Sequence, residues 1–442
     1  METVLLYILG ILIVLVGLAL SIGLHEIGHL LPAKKFGVRV SKYMIGFGPT
    51  ILSWRRGETE YGIKALPLGG YISMAGMFPP KSPGAPARNA TTSVFDTLVQ
   101  DARQVSADTL VDVDEKRAFY RLPVPKRIVI MLGGPLMNLL LGVLFYAIVL
   151  CGFGLPQAST TVSSVNECVI PATSTSQECA PGDAASPALT AGFQPGDRIV
   201  SIDGEPITEW SQVTDTIRDA PGENLDFVVE RDGVEVTLTA VPLLSERYAL
   251  TEEGAIQEDA DGEPVTQDVG FLGIGPASQN VQQPVTAVLP AVGENIARVA
   301  QIIVTLPQRI VDIAVAAFGP EERDPNGPIG VVGIGRLAGE ITSLNTIPVA
   351  DRAASLIQLL ASLNVALFVF NLIPLLPLDG GHVAGALWEA LRRGFAKLRG
   401  KPDPGPVDTA RFIPITLVVS GLLAAMTLLL VYADIVKPIS IL

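Results

Sequence analysis

Four long apolar runs constrain the fold of this 442-residue chain more than any other feature. The first, residues 3–24, contains no Lys, Arg, Asp or Glu, and a helix of this length spans roughly 30 Å, the thickness of a bilayer's hydrocarbon core. The others are Ile128–Phe153, Ala353–Leu378 and Phe412–Tyr432. A cleaved signal peptide is disfavoured for the first run, because no basic residue precedes it and no small-residue cleavage site follows it. The runs predict a polytopic α-helical membrane protein with about four transmembrane helices.

The charged residues between these runs are unevenly distributed and predict the topology. Residues 32–127 carry 15 Lys and Arg against 8 Asp and Glu, whereas residues 152–350 carry 8 against 28. Because cytoplasmic loops are enriched in Lys and Arg, residues 32–127 and 385–411 are expected to face the cytoplasm. Residues 154–350 and both termini are then extracytoplasmic. The acidic outer block also argues against nucleic-acid binding, which needs a basic surface.

One further apolar stretch, residues 285–318, is interrupted by charge. Its charged residues include Glu294, Arg298, Arg309 and Asp312. Such a composition favours an amphipathic helix on the membrane surface over a fifth span.

The outer block contains a predicted compact unit at about residues 158–245. The expected elements are strands at Arg198–Gly204, Leu225–Glu230 and Val234–Ala240 and a helix near residues 209–219. The pattern A-G-F-x-x-G-D-x-I-x-x-I-D-G-x-x-I, which begins at Ala191, resembles the core of bacterial PDZ domains. Since PDZ domains bind extended peptide ends, the expected partner is a peptide C-terminus, with a spacer or steric gate as the alternative. Cys168 and Cys179 either pair in an oxidising compartment or stay free thiols.

The motif His25-Glu26-Ile27-Gly28-His29 follows the first apolar run. Residues four apart project from the same face of a helix, so His25 and His29 can bind one zinc ion. Glu26 lies beside that ion, where its carboxylate can accept a proton from water. The motif therefore predicts the metal site of a zinc protease.

Three features make this motif more specific than a chance match. The chain has only three histidines, and two of them occupy it. It closes an apolar span, where ionisable residues are costly and usually functional. An ionised Glu26 without a partner would be expensive to bury there, and a zinc ion with its water provides one. The structural alternative is a capping cluster at the helix end.

Two histidines and a water leave one protein ligand to find. The remaining histidine, His382, ends the segment Asn371-Leu372-Ile373-Pro374-Leu375-Leu376-Pro377-Leu378-Asp379-Gly380-Gly381-His382. Spacing cannot choose between Asp379 and His382, although imidazole is the commoner zinc ligand and weakly favours His382. The segment can also be read as a proline-broken helix end, with Asp379 capping a following helix at residues 383–394.

The two motifs together, HEIGH in the first span and N-x-x-P-x-x-P-L-D-G-G-H in a late one, resemble those of the site-2 protease family of intramembrane zinc metalloproteases. By this resemblance His25, His29 and Asp379 are the metal ligands, Glu26 is the catalytic acid/base, and His382 supports the site without binding zinc. Asn371 matches the family asparagine that contacts substrate near the metal, where an amide donor can hold a carbonyl or oxyanion.

Other segments agree with the resemblance. Residues 38–77, with Gly46-Phe47-Gly48, resemble the family's membrane-reentrant β-hairpins, which offer an edge to an unwound substrate. Gly133-Gly134-Pro135-Leu136-Met137-Asn138 matches its second-span motif G-P-x-x-N. The order of motifs around one PDZ unit fits the bacterial branch, which implies an inner-membrane enzyme that acts on single-span membrane proteins such as anti-sigma factors or remnant signal peptides. A non-catalytic PDZ scaffold is the main alternative, and a zinc transporter would need more polar residues in its spans.

The predicted fold therefore combines about four transmembrane helices, a membrane-reentrant β-hairpin region and one extracytoplasmic α+β PDZ domain. The predicted divisions are residues 1–31 (first transmembrane helix, with HExxH), 32–126 (cytoplasmic region with hairpins and a polar insert), 127–153 (second transmembrane helix), 158–245 (PDZ domain), 246–350 (extracytoplasmic linker and amphipathic helix), 351–384 (third transmembrane helix), 385–411 (cytoplasmic loop) and 412–436 (fourth transmembrane helix). The insert at about residues 78–119 is expected to be a disordered cytoplasmic loop.

Overall fold

Long helices dominate the first of two units in the computed structural model. One unit comprises Met1–Phe153 with Gln283–Leu442, and the other comprises Gly154–Gln282. The structure describes residues 2–77, 114–174, 178–251, 263–320, 327–407 and 409–439, together with residues 106, 109, 256, 257, 259, 323 and 324. Most of the insert expected to be disordered, at residues 78–119, lies outside these residues.

Both units contain helices and strands, and the longest helices belong to the first unit. The helices are α1 (Glu2–Lys35), α2 (Val124–Ala147, continued by a π-helical turn at Ile148–Phe153), α3 (Pro187–Ala191), α4 (Trp210–Asp219), α5 (Val288–Phe318), α6 (Val331–Ser343), α7 (Val349–Asn371), α8 (Asp379–Leu398) and α9 (Ile413–Val436). The strands are β1 (Val40–Arg56), β2 (Thr59–Met74), β3 (Leu155–Val165), β4 (Arg198–Ile202), β5 (Glu205–Pro206), β6 (Leu225–Arg231), β7 (Val234–Ala240), β8 (Leu243–Tyr248), β9 (Thr266–Phe271) and β10 (Ile274–Val281).

Among the described residues, five helices are long and apolar enough to cross a membrane. Four of them, α1, α2, α7 and α9, overlap the predicted spans. The third span, predicted at residues 351–384, was placed too long, because α7 ends at Asn371 and a separate helix, α8, begins at Asp379. The fifth, Val285–Phe318 including α5, is the stretch expected to lie on the membrane surface. Its exposed Glu294–Arg298 ion pair agrees with that expectation, whereas its length and hydropathy also suit a span, so the number of spans stays a prediction.

Helix α1 packs against three other helices through glycines. A Cβ atom on Gly28 would lie 2.2 Å from the carbonyl oxygen of Gly133 in α2, and one on Gly10 would lie 2.2 Å from the carbonyl oxygen of Ala338 in α6. A Cβ atom on Gly17 would lie 2.8 Å from the side chain of Leu360 in α7. Small residues let helix backbones approach closely where lipid provides no hydrophobic drive. These contacts place α1 at the centre of the helical unit.

The strands β1 and β2 form a sheet that lies on α1. Residues 40–45 pair with residues 70–74 on one side and with residues 60–63 on the other. The Tyr43 hydroxyl donates to the Gly23 carbonyl of α1, at 2.8 Å. Among the described strands, residues 66–74 pair with β1 only, so they form an edge of this sheet.

The second unit is built on a sheet with strand order β10-β3-β4-β6-β7, with β5 beside β4, and β8 pairs with β9. Its core includes Ile199, Val213 and Phe227. The predicted Asp-Gly turn follows β4, where Asp203 and Gly204 have φ values of 49° and 85°, as a tight hairpin turn requires. The predicted strands and helix overlap β4, β6, β7 and α4. The PDZ assignment itself stays a prediction.

A disulfide and a buried ion pair stabilise the loops of the second unit. Cys168 and Cys179 form a disulfide, which resolves the alternative left open by their spacing. The buried Asp197 carboxylate accepts two hydrogen bonds from Arg231, each of 2.7 Å, and one from the Gln194 backbone. Although burial acts in the opposite direction, these bonds from Arg231 and Gln194 lower the pKa of Asp197 below its usual value.

Candidate active site

The two histidines of the HExxH motif point to the same place from α1. His25 and His29 are one helical turn apart, and their Nε2 atoms lie 3.2 Å from each other. The site lies where α1 crosses α2, because Gly28 is in backbone contact with Gly133. The close crossing therefore brings the imidazoles directly against the second helix.

Asp379 reaches the same point from another helix. It is the first residue of α8, and its Oδ2 atom lies 3.3 Å from Nε2 of His25 and 3.3 Å from Nε2 of His29. Four-coordinate zinc with bonds of about 2.0–2.1 Å holds its N and O ligand atoms roughly 3.3 Å apart. The three atoms therefore form a triangle of the right size to hold one zinc ion, with a fourth position for water or substrate.

The hydrogen bonding of His29 prepares it to bind a metal. Its Nδ1 atom lies 2.7 Å from the carbonyl oxygen of Ile130 in α2, which can only accept a hydrogen bond. Nδ1 therefore carries the proton, and the lone pair of Nε2 faces Asp379. The Nδ1 atom of His25 is buried and has no hydrogen-bond partner among the described residues.

Gly134 leaves the space in which these ligand atoms meet. A Cβ atom at this position would lie 2.2 Å from Nε2 of His29 and 2.7 Å from Nε2 of His25. Any side chain here would enter the metal position. One turn further along α2, Asn138 is 1% exposed, and its side-chain atoms have no hydrogen-bond partner within the described part of the chain.

Glu26, the residue predicted to transfer protons, is buried beside the ligands and only 8% exposed. A Cβ atom on Gly70 of β2 would lie 3.0 Å from Cγ of Glu26. The edge formed by residues 66–74 therefore passes directly over the Glu26 side chain. This contact brings the predicted hairpin region to the predicted site.

His382 and Asn371 were also predicted to lie at the site, and the structure shows contacts for both. His382 is one turn after Asp379 and lines a small cavity with Arg127 and Glu389. Asn371 ends α7, and its amide donates to the Leu367 carbonyl in the same helix, at 2.9 Å. No hydrogen bond between Asn371 and the three ligand residues occurs in the described part of the chain.

The Gly46-Phe47-Gly48 segment lies in β1, next to the edge formed by residues 66–74. Gly46 and Gly48 have φ values of 92° and 84°, a backbone conformation that favours glycine. Phe47 pairs with Leu66 in the sheet, stacks on Tyr71 and is 48% exposed. Because Phe47 is paired with Leu66 alone among the described residues, a role of this segment in substrate binding stays a prediction.

Two imidazoles and a carboxylate that meet between apolar helices, with a glutamate beside them, are the arrangement of a membrane-embedded zinc metalloprotease. The comparison with known families agrees, since the family described as Peptidase family M50 matches residues 13–402. The chain belongs to this family, and it is an integral membrane protein and a zinc metalloprotease.

Similar proteins carry the same description. Zinc metalloprotease Rip1 of Mycobacterium tuberculosis is 33% identical over 441 residues, which cover 98% of both chains. Zinc metalloprotease Rip1 of Mycolicibacterium smegmatis is 32% identical over 448 residues, again 98% of both chains. Metalloprotease MmpA of Caulobacter vibrioides is 30% identical over 397 residues, 87% of this chain and 88% of the relative.

Several residues that shape the site carried no assigned role in the sequence. Gly28, Gly133 and Gly134 let the two helices meet at the metal position, and the Ile130 carbonyl orients His29. Small residues within apolar spans were the available signal. That signal shows that two helices approach closely but not which side chains the approach brings together.

Proposed function

We propose that the chain is an intramembrane endopeptidase that cuts the transmembrane segments of single-span membrane proteins in regulated intramembrane proteolysis. The observation that carries this proposal is that His25 and His29 of the apolar helix α1 converge with Asp379, the first residue of α8. A protease whose metal site lies between apolar helices can reach peptide bonds that soluble proteases cannot. Anti-sigma factors and remnant signal peptides, already trimmed on the outer side, are the substrate classes we expect.

In this proposal His25, His29 and Asp379 hold the zinc. When bound, zinc supplies Lewis-acid chemistry, which lowers the pKa of a coordinated water and polarises a peptide carbonyl. Glu26 accepts the proton of the attacking water at its carboxylate and returns it to the nitrogen of the leaving amine. Burial of Glu26 beneath residues 66–74 keeps bulk water away from this proton transfer.

The edge of the hairpin sheet gives the substrate a place to bind in extended form. A transmembrane helix satisfies its own amides, so it must unwind before a peptide bond becomes accessible. Addition of the unwound segment to residues 66–74 would replace the lost hydrogen bonds and hold the chain over Glu26. This modifies the expectation from the sequence, which put strand addition near Gly46–Gly48.

The proposed location is the bacterial cytoplasmic membrane. Both termini and the unit at Gly154–Gln282 would be extracytoplasmic, and the metal site would lie towards the cytoplasm. The excess of Lys and Arg in residues 32–127 supports this orientation. As a PDZ domain, the outer unit would bind the peptide end that earlier trimming exposes, or would act as a size gate.

Substitution of Glu26 by Gln tests the mechanism. The Glu26→Gln enzyme, purified in full length and reconstituted in lipid, should retain one zinc ion per chain and lose cleavage of a trimmed single-span substrate. Glu294→Gln makes the same chemical change at an exposed side chain and should cleave at the wild-type rate. Wild-type cleavage by Glu26→Gln would refute the proposed role of this residue.

A pair of substrates tests where cleavage occurs. Two single-span substrates would differ at one residue in the middle of the span, with Gly in one and Leu in the other. Because Gly weakens the helix by about 1 kcal/mol, the Gly substrate should be cut faster, and mass spectrometry should place the cut within the span. Equal rates with a cut outside the span would contradict intramembrane cleavage.

A further inference from the structure

The third ligand, Asp379, depends on the position of a separate helix. His25 and His29 share α1, but Asp379 is the first residue of α8. Metal sites tolerate deviations of only about 0.2 Å in ligand distance. Whatever fixes α8 against the other helices therefore decides whether the triangle of ligand atoms closes.

A buried ion pair connects α8 to α2. The Arg127 guanidinium donates to Oε1 of Glu389, and the two side chains are 9% and 1% exposed. The other carboxylate oxygen, Oε2, accepts a hydrogen bond of 3.0 Å from the backbone of Val407. Arg393, one turn after Glu389, also contacts the Oε1 atom at 3.1 Å. The carboxylate is thus held from several directions.

The two members of this pair lie close to the residues that build the metal site. Glu389 is seven residues, almost two turns, after His382, which lies one turn after Asp379, and Glu389, His382 and Arg127 line one small cavity. Arg127 precedes Ile130 by three residues and Gly134 by seven, which puts all three on one face of α2. The Ile130 carbonyl orients His29, and Gly134 lies against both imidazoles. The ion pair therefore joins α2 and α8 close to the residues that meet at the proposed metal site.

Stability alone is a poor reason for such a pair. Burying two charges costs about as much as their attraction returns, and apolar side chains of similar volume often stabilise a fold equally well. Apolar contacts are not directional. The hydrogen bonds of an Arg–carboxylate pair are directional, so they fix the distance and orientation of the two side chains.

We propose that Arg127 and Glu389 are positioning residues that set α8 against α2 and so hold Asp379 within bonding distance of a zinc ion on His25 and His29. The inference rests on the ligand set of the proposed function. It concerns the retention and geometry of the metal, and neither residue touches the reacting atoms.

A second buried ion pair in the same helical unit provides a matched control. Asp434 of α9 accepts from Arg323 with one carboxylate oxygen and from the Gly333 backbone with the other, both at 2.8 Å. The side chains of Arg323 and Asp434 are 4% and 1% exposed. The Arg323–Asp434 pair is thus buried and hydrogen-bonded like the Arg127–Glu389 pair, but it involves neither α1 nor α8, the helices that carry the proposed metal ligands.

The experiment compares zinc release from four full-length proteins in detergent: wild type, Glu389→Gln, Asp434→Asn and the double variant Arg127→Met with Glu389→Met. A chelator in excess captures the zinc, and its absorbance gives the dissociation rate. The double variant leaves no unpaired buried charge, so it remains informative where Glu389→Gln fails to fold. Cobalt(II) loading adds a ligand-field spectrum that reports geometry independently of activity.

We expect Glu389→Gln and the double variant to release zinc ~10- to 100-fold faster than wild type, the usual effect of losing a group that supports a metal ligand. Their cobalt spectra should change, while Asp434→Asn keeps the wild-type rate and spectrum despite a lower melting temperature. Wild-type release by the double variant, or equally fast release by Asp434→Asn, would overturn the inference. The variant His25→Ala distinguishes failure of this inference from failure of the proposed function. If His25→Ala retains zinc, the proposed set of zinc ligands is wrong.

Discussion

Replacement of Gly134 by alanine perturbs the metal site with a single methyl group. The added Cβ would lie 2.2 Å from Nε2 of His29 and 2.7 Å from Nε2 of His25. Carbon and nitrogen atoms in contact are normally at least ~3.4 Å apart, so the His29 ligand atom must move by about 1 Å. Because metal–ligand distances tolerate only about 0.2 Å, that movement removes a ligand. We expect zinc affinity to fall by at least ~100-fold, or about 2.8 kcal/mol of binding free energy.

Competition with a chelator of known zinc affinity measures this effect on the purified full-length protein. Gly152→Ala is the control, because Gly152 continues the same helix and a Cβ there meets no atom within 4 Å. Alanine is about 1 kcal/mol better than glycine in a helix interior, so neither variant should lose helix content. Loss of zinc from Gly134→Ala alone would identify the clash as its cause. Wild-type zinc affinity in Gly134→Ala would refute the described approach of α2 to the histidines.

Two further predictions concern helix packing and the outer unit. Gly28→Val should separate α1 from α2, because its Cβ would lie 2.2 Å from the Gly133 carbonyl oxygen. The melting temperature and the zinc content after gel filtration should both fall. An unchanged melting temperature and zinc content would contradict the close crossing of α1 and α2. The unit at Gly154–Gln282 should be most stable above about pH 4 and lose stability below it, since hydrogen bonds keep the folded-state pKa of Asp197 below its unfolded value of about 3.9. Hydrogen exchange of β4 and β6 would show this, and Arg231→Met should reduce the pH dependence.

The sequence predicted the apolar helices and the proximity of His25 and His29 for a common physical reason. Both are local features of one helix. A 22-residue apolar run is long enough to span a membrane, and two histidines four residues apart lie on the same helix face. The third ligand is not such a local feature. Spacing could not choose between Asp379 and His382, the commonness of imidazole as a zinc ligand weakly favoured His382, and the family resemblance favoured Asp379. The structure brings Asp379 to 3.3 Å from both imidazoles. Contacts between distant helices are not encoded in local spacing.

The hairpin region shows the same limit. The resemblance predicted β-structure at residues 38–77, and β1 and β2 lie there. Which segment forms the edge depends on strand register, and residues 40–45 are paired on both sides. Within the edge formed by residues 66–74, Gly70 lies against Glu26, whereas the expected role of Gly46–Gly48 in receiving the substrate stays a prediction. Likewise, the pairing of Cys168 with Cys179 depended on a loop conformation that composition does not specify.

X-ray absorption at the zinc edge tests the central claim, that one zinc ion is held by His25, His29 and Asp379. The spectrum of the zinc-loaded wild-type protein should show four N or O neighbours at about 2.0–2.1 Å and the multiple scattering of two imidazoles. His382→Ala should leave that spectrum unchanged, whereas Asp379→Asn should alter it. A signal from three imidazoles in the wild type that falls to two in His382→Ala would contradict the account and assign the third ligand to His382.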